Sequence, residues 1–129
     1  MDQMETFLAA ETYAVAGASA RRHKYGYKVF MALRASGRDV YPLNPVTDEI
    51  EGHKVYAKIA DLPLVPESLS IITPPEVTRQ VVDEAIEAGV KNIWMQPGAE
   101  DDRASHAARE AGVNVIDDGA CVLVLLARR

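Results

Sequence analysis

TYAVAGASARRHKYG, residues Thr12 to Gly26, is the stretch on which the reading of this chain turns. A short apolar run stops at Gly17, the small residues Ala18 and Ser19 follow, and Arg21, Arg22 and Lys24 lead into Tyr25 and Gly26, where a helical pattern opens. That is the layout of a β-strand handing over to a helix across a gap the size of a phosphate group. Glycine lets the backbone approach an anion closely, a serine hydroxyl can donate to it, and helix N-terminal amides with nearby cations complement its charge. The competing reading is that Gly17 only ends a strand and the basic residues form a solvated turn. The spacing is not GxGxxG, and GAS lacks the GK[ST] ending of a nucleotide-hydrolysing loop, which argues against nucleotide hydrolysis.

Working outward, Met4, Phe7 and Leu8 at helical spacing predict a short lead-in helix within residues 1–10. Tyr13 to Ala16 reads as the first strand, apolar on consecutive residues and therefore covered on both faces. Val29, Phe30 and Leu33 share one face of a helix from Tyr25 to Ser36, which Gly37 closes. Asp39 to Leu43 is the second strand despite Pro42, since proline is tolerated at edges and strand ends, and Asn44-Pro45 ends it. The region from Thr47 to Pro66 is irregular, with an extended piece near His53 to Tyr56 and a helical turn near Lys58 to Leu62. Leu69 to Thr73 returns to a strand. Thr73-Pro74-Pro75-Glu76 has the spacing of a capping box for a helix carrying Val77, Val81, Val82, Ala85 and Ile86 on one continuous buried face and closed by Gly89. Asn92 to Met95 is a fourth strand, Glu100, Asp101 and Asp102 open a third crossover helix ended by Gly112, and Val113 to Ile116 is a fifth strand. Asp117-Asp118-Gly119 makes a turn, and Ala120 to Ala127 is an apolar segment that fits a helix or a strand.

This alternation, with crossovers too long for hairpins, predicts an α/β, Rossmann-like, doubly wound and mostly parallel five-stranded sheet with helices on both faces. Residues 1–129 are expected to form one domain, and 48% hydrophobic content supplies its core. A net charge of −5 argues against general nucleic-acid binding, so any phosphate contact must be local. No apolar run approaches the ~18 residues of a membrane span, and the N-terminus lacks a signal peptide's basic start, so a cytoplasmic protein is expected. Cys121 is the only cysteine, which excludes an internal disulfide and a cysteine-based metal cluster.

In such a sheet, ligands bind outside the carboxyl ends of the strands. The segments there are Gly17 to Gly26, Asn44-Pro45, Thr73 to Glu76, Gln96-Pro97-Gly98 and Asp117 to Gly119. Asn44 stands roughly where a dinucleotide enzyme keeps the Asp or Glu that bonds a ribose diol. A neutral side chain there is compatible with an adenosine phosphorylated on its ribose, as in coenzyme A or NADP. A plain turn role before Pro45 fits equally well. Catalytic constellations are thin. His23, His53 and His106 have no ligand-type spacing and read as surface residues, Cys121 in ACVLVLL reads as a buried small hydrophobe, and Trp94 reads as core.

GAS followed by KYGYKVF (Lys24 to Phe30), YPLNP (Tyr41 to Pro45), ITPPE (Ile72 to Glu76) and WMQPGA (Trp94 to Ala99) together resemble the small stand-alone CoA-binding proteins. These are similar to the CoA-binding domain of the succinyl-CoA synthetase α subunit and of ADP-forming acyl-CoA synthetases. The match runs in order from about Thr12 to Asp118. The resemblance implies a Rossmann-like fold with CoA across the carboxyl ends of the strands. It implies that Gly17, Ala18 and Ser19 with Lys24, Tyr25 and Gly26 hold the pyrophosphate region, that Arg21 or Arg22 adds charge, and that Asn44 lies near the adenosine. It further implies that Thr73-Pro74-Pro75 and Gln96-Pro97-Gly98 line the rest of the cleft. The synthetases' phosphorylated histidine lies outside this domain and has no counterpart here. Many relatives carry an aspartate, arginine and cysteine run after the fifth strand, where this chain has Asp118-Gly119-Ala120-Cys121 and then VLVLLA.

The leading expectation is therefore a non-catalytic module that binds CoA or an acyl-CoA as a carrier, sensor or regulatory partner of an acyl-CoA-using enzyme. An NAD(P)-dependent oxidoreductase or a ligase-associated subunit is a second reading. A structural interaction protein, with Ala120 to Ala127 as a homo-oligomer face, is a third.

Overall fold

The computed structural model describes residues 1–128. Strands β1 (Thr12–Ala16), β2 (Asp39–Leu43), β3 (Ser68–Ile71), β4 (Asn92–Met95) and β5 (Asn114–Ile116) form one parallel sheet in the order β2-β1-β3-β4-β5. The chain winds from β1 to one edge, then crosses back over β1 to build the other half. The point of reversal lies between β1 and β3, where an open α/β sheet leaves a crevice at its carboxyl edge. This is the Rossmann-like α/β architecture that the sequence predicts.

Alternation within the strands sorts the core into two layers. Ala14, Ala16, Leu69, Ile71, Ile93 and Met95 face helices α3 (Pro75–Ala88) and α4 (Asp102–Glu110). Tyr13, Val15, Trp94 and Ile116 face α1 (Gln3–Leu8), α2 (Tyr25–Ala35) and α5 (Val122–Ala127), meeting Phe7, Val29, Phe30, Leu33 and Val122. Tyr13, Ala14 and Val15 are fully buried, as a strand covered on both faces must be. Phe7 packs edge-on against both Tyr13 and Trp94, which fastens the lead-in helix to the middle of the sheet. Pro42 causes no conflict because β2 is an edge strand.

Three local expectations are corrected. The capping box does not form: α3 starts at Pro75, its cap residue is Pro74, and no side chain caps it. A residue before proline avoids helical backbone angles, so Pro75 pushes the cap to Pro74 and leaves Thr73 one position outside the helix. The Thr73 hydroxyl instead meets that of Thr78 at 2.8 Å. The core-facing stripe of α3 is Thr78, Val82 and Ala85, and Val77 stays 40% exposed. Finally, Cys121 is half-buried rather than enclosed in the core, with its thiol 2.6 Å from the Tyr25 hydroxyl.

Between β2 and β3 the chain makes a two-residue-wide hairpin, Glu49–Ile50 against His53–Lys54, and a short 3₁₀ turn at Ile59–Asp61. Ile50 and Ile59 pin these pieces into the two core layers. No helix of the described residues is long and apolar enough to cross a membrane.

Candidate functional site

The turn after β1 is built by contacts that only glycine permits. Gly17 has φ +90, and a Cβ there would sit below 3.0 Å from the Ile72 carbonyl, so both its angle and its neighbour exclude a side chain. Its amide donates to the Leu43 carbonyl at 3.1 Å, and the Ile72 amide donates to Ala16 at 2.8 Å, which ties the turn to β2 and to the end of β3. Gly26, in the first turn of α2, is buried, and a Cβ there would collide with the Gly17 carbonyl. Two glycines therefore let α2 start directly against the end of β1.

The start of α2 is arranged for an anion. Its cap residue, Lys24, supplies no side-chain hydrogen bond, and no acidic residue lies in the first turn. The first amides of a helix have no intrahelical acceptor, and here no capping side chain serves them, so they face the loop as donors with the positive end of the helix dipole behind them. Ser19 Oγ accepts from the Arg21 amide at 3.1 Å, and the Lys24 amide donates to the Arg21 carbonyl at 3.0 Å, which curls the loop. Arg21 and Lys24 are exposed. Arg22 reaches Glu51 at the hairpin tip at 3.0 Å, and Glu51 also accepts from the Tyr27 hydroxyl at 2.6 Å. The Tyr27 hydrogen bond, with Arg22 beside it, holds the Glu51 carboxyl below the usual range.

Beside this loop lies an apolar pocket of about 280 Å³ at the carboxyl ends of β1 and β2. Ala16, Gly17, Leu43, Pro45 and Ile59 form its floor and one wall, Thr73, Val77 and Val81 the opposite wall, and Lys58, Gln80 and Glu84 also line it. The exposed Val77 and half-buried Val81 thus have a reason to be apolar other than core packing. A clue was present in the sequence: α3 carries a second apolar stripe beside the one its core contact uses, and reading the two as one continuous buried face hid the pocket.

The other predicted residues divide into those at the cleft and those behind it. Thr73 lines the pocket, while Pro74 and Pro75 lie exposed at the start of α3, and Pro97 and Gly98 lie exposed beyond β4. Asn44 turns inward. Its amide nitrogen donates to the Ala18 carbonyl at 2.8 Å, and its oxygen accepts from the amides of Val46 at 2.8 Å and Thr47 at 3.1 Å. It is a turn residue that also braces the glycine loop. Gln96 is fully buried: it donates to Ser70 Oγ at 3.1 Å and accepts from the Tyr25 hydroxyl and the Val122 amide, each at 3.0 Å. The enclosed Gln96 side chain joins β3, α2 and α5. Tyr25 belongs to the same network, where burial and then the Cys121 hydrogen bond raise its phenol above the usual range. Among the described residues no group of three or more His, Cys, Asp or Glu is placed to hold a metal ion. His53 packs edge-on against Phe30.

Chemically, this edge of the sheet offers amide donors and cations next to an apolar slot, which suits a molecule carrying phosphates and a flat apolar ring. Comparison with known proteins agrees in kind. A family model described as "CoA binding domain" matches residues 11–127. The "Acetate--CoA ligase [ADP-forming] II subunit alpha" of Pyrococcus furiosus is 33% identical over 91 residues, covering 70% of this chain, and the chain spans only 20% of that subunit's length. "Uncharacterized protein YneT" of Bacillus subtilis is 26% identical over 120 residues, covering 93% of this chain and 88% of that protein. A solved structure, "hypothetical protein from Pyrococcus horikoshii OT3", superposes with a TM-score of 0.93 at 29% identity, covering 99% of this chain and 92% of that one. With residues 11–127 inside the matched region and the fold shared along the chain, the chain belongs to the CoA binding domain family.

Proposed function

We propose that this chain binds coenzyme A, or an acyl-CoA, across the carboxyl ends of its strands, with the diphosphate at the Gly17–Tyr25 loop and the adenine in the adjoining apolar pocket. One observation carries the reading: an uncapped helix start with no acidic residue in its first turn, flanked by Arg21 and Lys24, stands beside a pocket walled by Leu43, Ile59, Val77 and Val81. A phosphate group is stabilised by the helix amides and cations, and burying a flat ring in the pocket is favourable at about 25 cal/mol per Å² of apolar area. Asn44 contributes by bracing the Ala18 carbonyl, which keeps the loop's amides turned toward the ligand.

The chain acts in this reading as a binding module, a carrier, sensor or regulatory partner of an acyl-CoA-using enzyme, and itself performs no acyl transfer. The side chains at the cleft are suited to holding and orienting: glycines for close approach, cations for charge, prolines and valines for shape.

Isothermal titration with CoA is the direct test. A single saturable site is expected, and no heat at millimolar CoA would overturn the reading. Native mass spectrometry of the purified protein then distinguishes free CoA from an acyl-CoA by the mass of what co-purifies. Turnover of acyl-CoA by the isolated chain would contradict the non-catalytic part alone.

A further inference from the structure

The inward turn of Asn44 leaves the ribose end of the proposed ligand without its expected reader. The segment that follows β2 does not supply one, because Pro45, Val46, Thr47, Asp48 and Glu49 contain no cation and two carboxylates. The chain passes the pocket a second time at Lys58, the one cation among the residues that line it.

Lys58 is mounted on fixed backbone. Two residues before it, the Tyr56 amide donates to the Pro42 carbonyl at 3.1 Å and the Tyr56 carbonyl accepts from the Asn44 amide at 2.9 Å, so this strand-like piece is paired to the end of β2. One residue after it, Ile59 is buried in the core. The Lys58 side chain leaves from an extended residue between these two anchors. Among the described residues its ammonium has no carboxylate partner within 4 Å, although Glu84 lines the same pocket from α3. An unpaired lysine on a fixed mount at the rim of an apolar pocket is suited to a phosphate monoester, which carries nearly two negative charges and three acceptor oxygens.

We propose that Lys58 reads the phosphate on the adenosine ribose and so sets a preference for coenzyme A over ligands that lack that phosphate. This rests on the reading that the carboxyl edge holds CoA, and it names the residue that makes the edge selective. Glu84 opposes the same phosphate, so Lys58 is needed both to attract it and to offset the facing carboxylate. A partly exposed charge-assisted contact of this kind corresponds to roughly a tenfold change in affinity.

The experiment is titration calorimetry with CoA and with dephospho-CoA on the native chain, Lys58→Met and Lys58→Arg. The native chain is expected to bind CoA about tenfold more tightly than dephospho-CoA. Lys58→Met is expected to erase that ratio while leaving dephospho-CoA affinity within about twofold, and Lys58→Arg to keep most of it. Because Lys58 is exposed, the variants should melt with the native chain, and a thermal scan checks this. If both ligands bind and Lys58→Met leaves the ratio unchanged, or the native chain shows no preference, the role of Lys58 is wrong and CoA binding stands. If neither ligand binds the native chain, the CoA reading fails and this inference falls with it.

Discussion

Replacing Gly26 by alanine separates local propensity from the architecture of the site. Gly26 lies in the first turn of α2, and by helix propensity alone alanine would stabilise an interior helical position by about 0.8–1.0 kcal/mol. The structure opposes this. A Cβ at Gly26 would fall below 3.0 Å from the Gly17 carbonyl oxygen and lie 3.3 Å from Ala18 Cα, and both neighbours are backbone, which cannot rotate away. Either α2 backs off the end of β1 or the glycine turn shifts, and forced overpacking costs about 1–3 kcal/mol beyond the lost propensity gain. The net expectation is a destabilisation of about 2 kcal/mol, which lowers Tm by roughly 7 °C for a chain of this size. Gly37→Ala is the matched control. Unlike the helical Gly26 it has a positive φ, +89, but nothing lies within 4 Å of its Cβ, so only the backbone angle is penalised, at about 1 kcal/mol. Urea denaturation followed by circular dichroism measures both, and calorimetry should show ligand affinity falling for Gly26→Ala and unchanged for Gly37→Ala. A Gly26→Ala protein as stable as the native one, with its binding intact, would refute the claim that α2 must start in contact with the Gly17 turn.

Three further outcomes are expected. Gln96→Leu keeps the volume but leaves the Ser70 hydroxyl and the Val122 amide without their partner and the Tyr25 hydroxyl with Cys121 alone, which should cost about 2–4 kcal/mol in urea unfolding. Asn44→Ala releases the Ala18 carbonyl and two turn amides, so a loss of about 1–2 kcal/mol is expected together with weaker CoA binding by calorimetry. Arg109→Gln removes a two-pronged pair with Asp117, at 2.8 and 3.1 Å, whose hydrogen bonds hold the Asp117 carboxyl below its usual range despite partial burial. A lowered folded pKa adds stability that is complete above the unfolded value, near 4, and is lost as pH falls through the folded one. The variant should therefore be less stable at pH 7, by at most about 1 kcal/mol given the exposure of Arg109, and the gap should close below about pH 4 in thermal scans.

The fold was legible because its signals are local and repeated. Consecutive apolar residues at Tyr13–Ala16 and Asn92–Met95 mark strands covered on both faces, and Gly37, Gly89 and Gly112 stand where helices stop. The order of the strands added the location of the cleft, since ligand sites of such sheets follow from topology. What sequence could not convey is the direction in which a polar side chain points. Asn44 and Gln96 stand at strand ends, which makes them natural candidates for ligand contact, yet both face inward because buried backbone and hydroxyl groups there need partners. The pocket was missed for a related reason. Val77 and Val81 lie next to Thr78 and Val82 on α3, and a wide apolar stripe does not declare which half meets the core and which faces a cleft. Two adjacent prolines moved the start of that helix by one residue and cancelled a capping box whose spacing was otherwise correct. Lys58 carried no signal at all, because only the return of the irregular segment along the end of β2 brings it to the pocket.

The central claim is that CoA is held at the carboxyl edge of the sheet, between the Gly17 turn and the α3 wall. Its most direct test is a titration of the isotope-labelled chain with CoA, followed residue by residue through backbone amide chemical shifts. The account predicts saturable shifts concentrated at Gly17 to Tyr27, at Leu43 to Thr47 and at Thr73 to Val81, with the amides of Tyr25, Gly26 and Tyr27 moving most. Absence of shifts at millimolar CoA, or shifts gathered at the opposite edge around Gly89, Lys91 and Gly112, would contradict it.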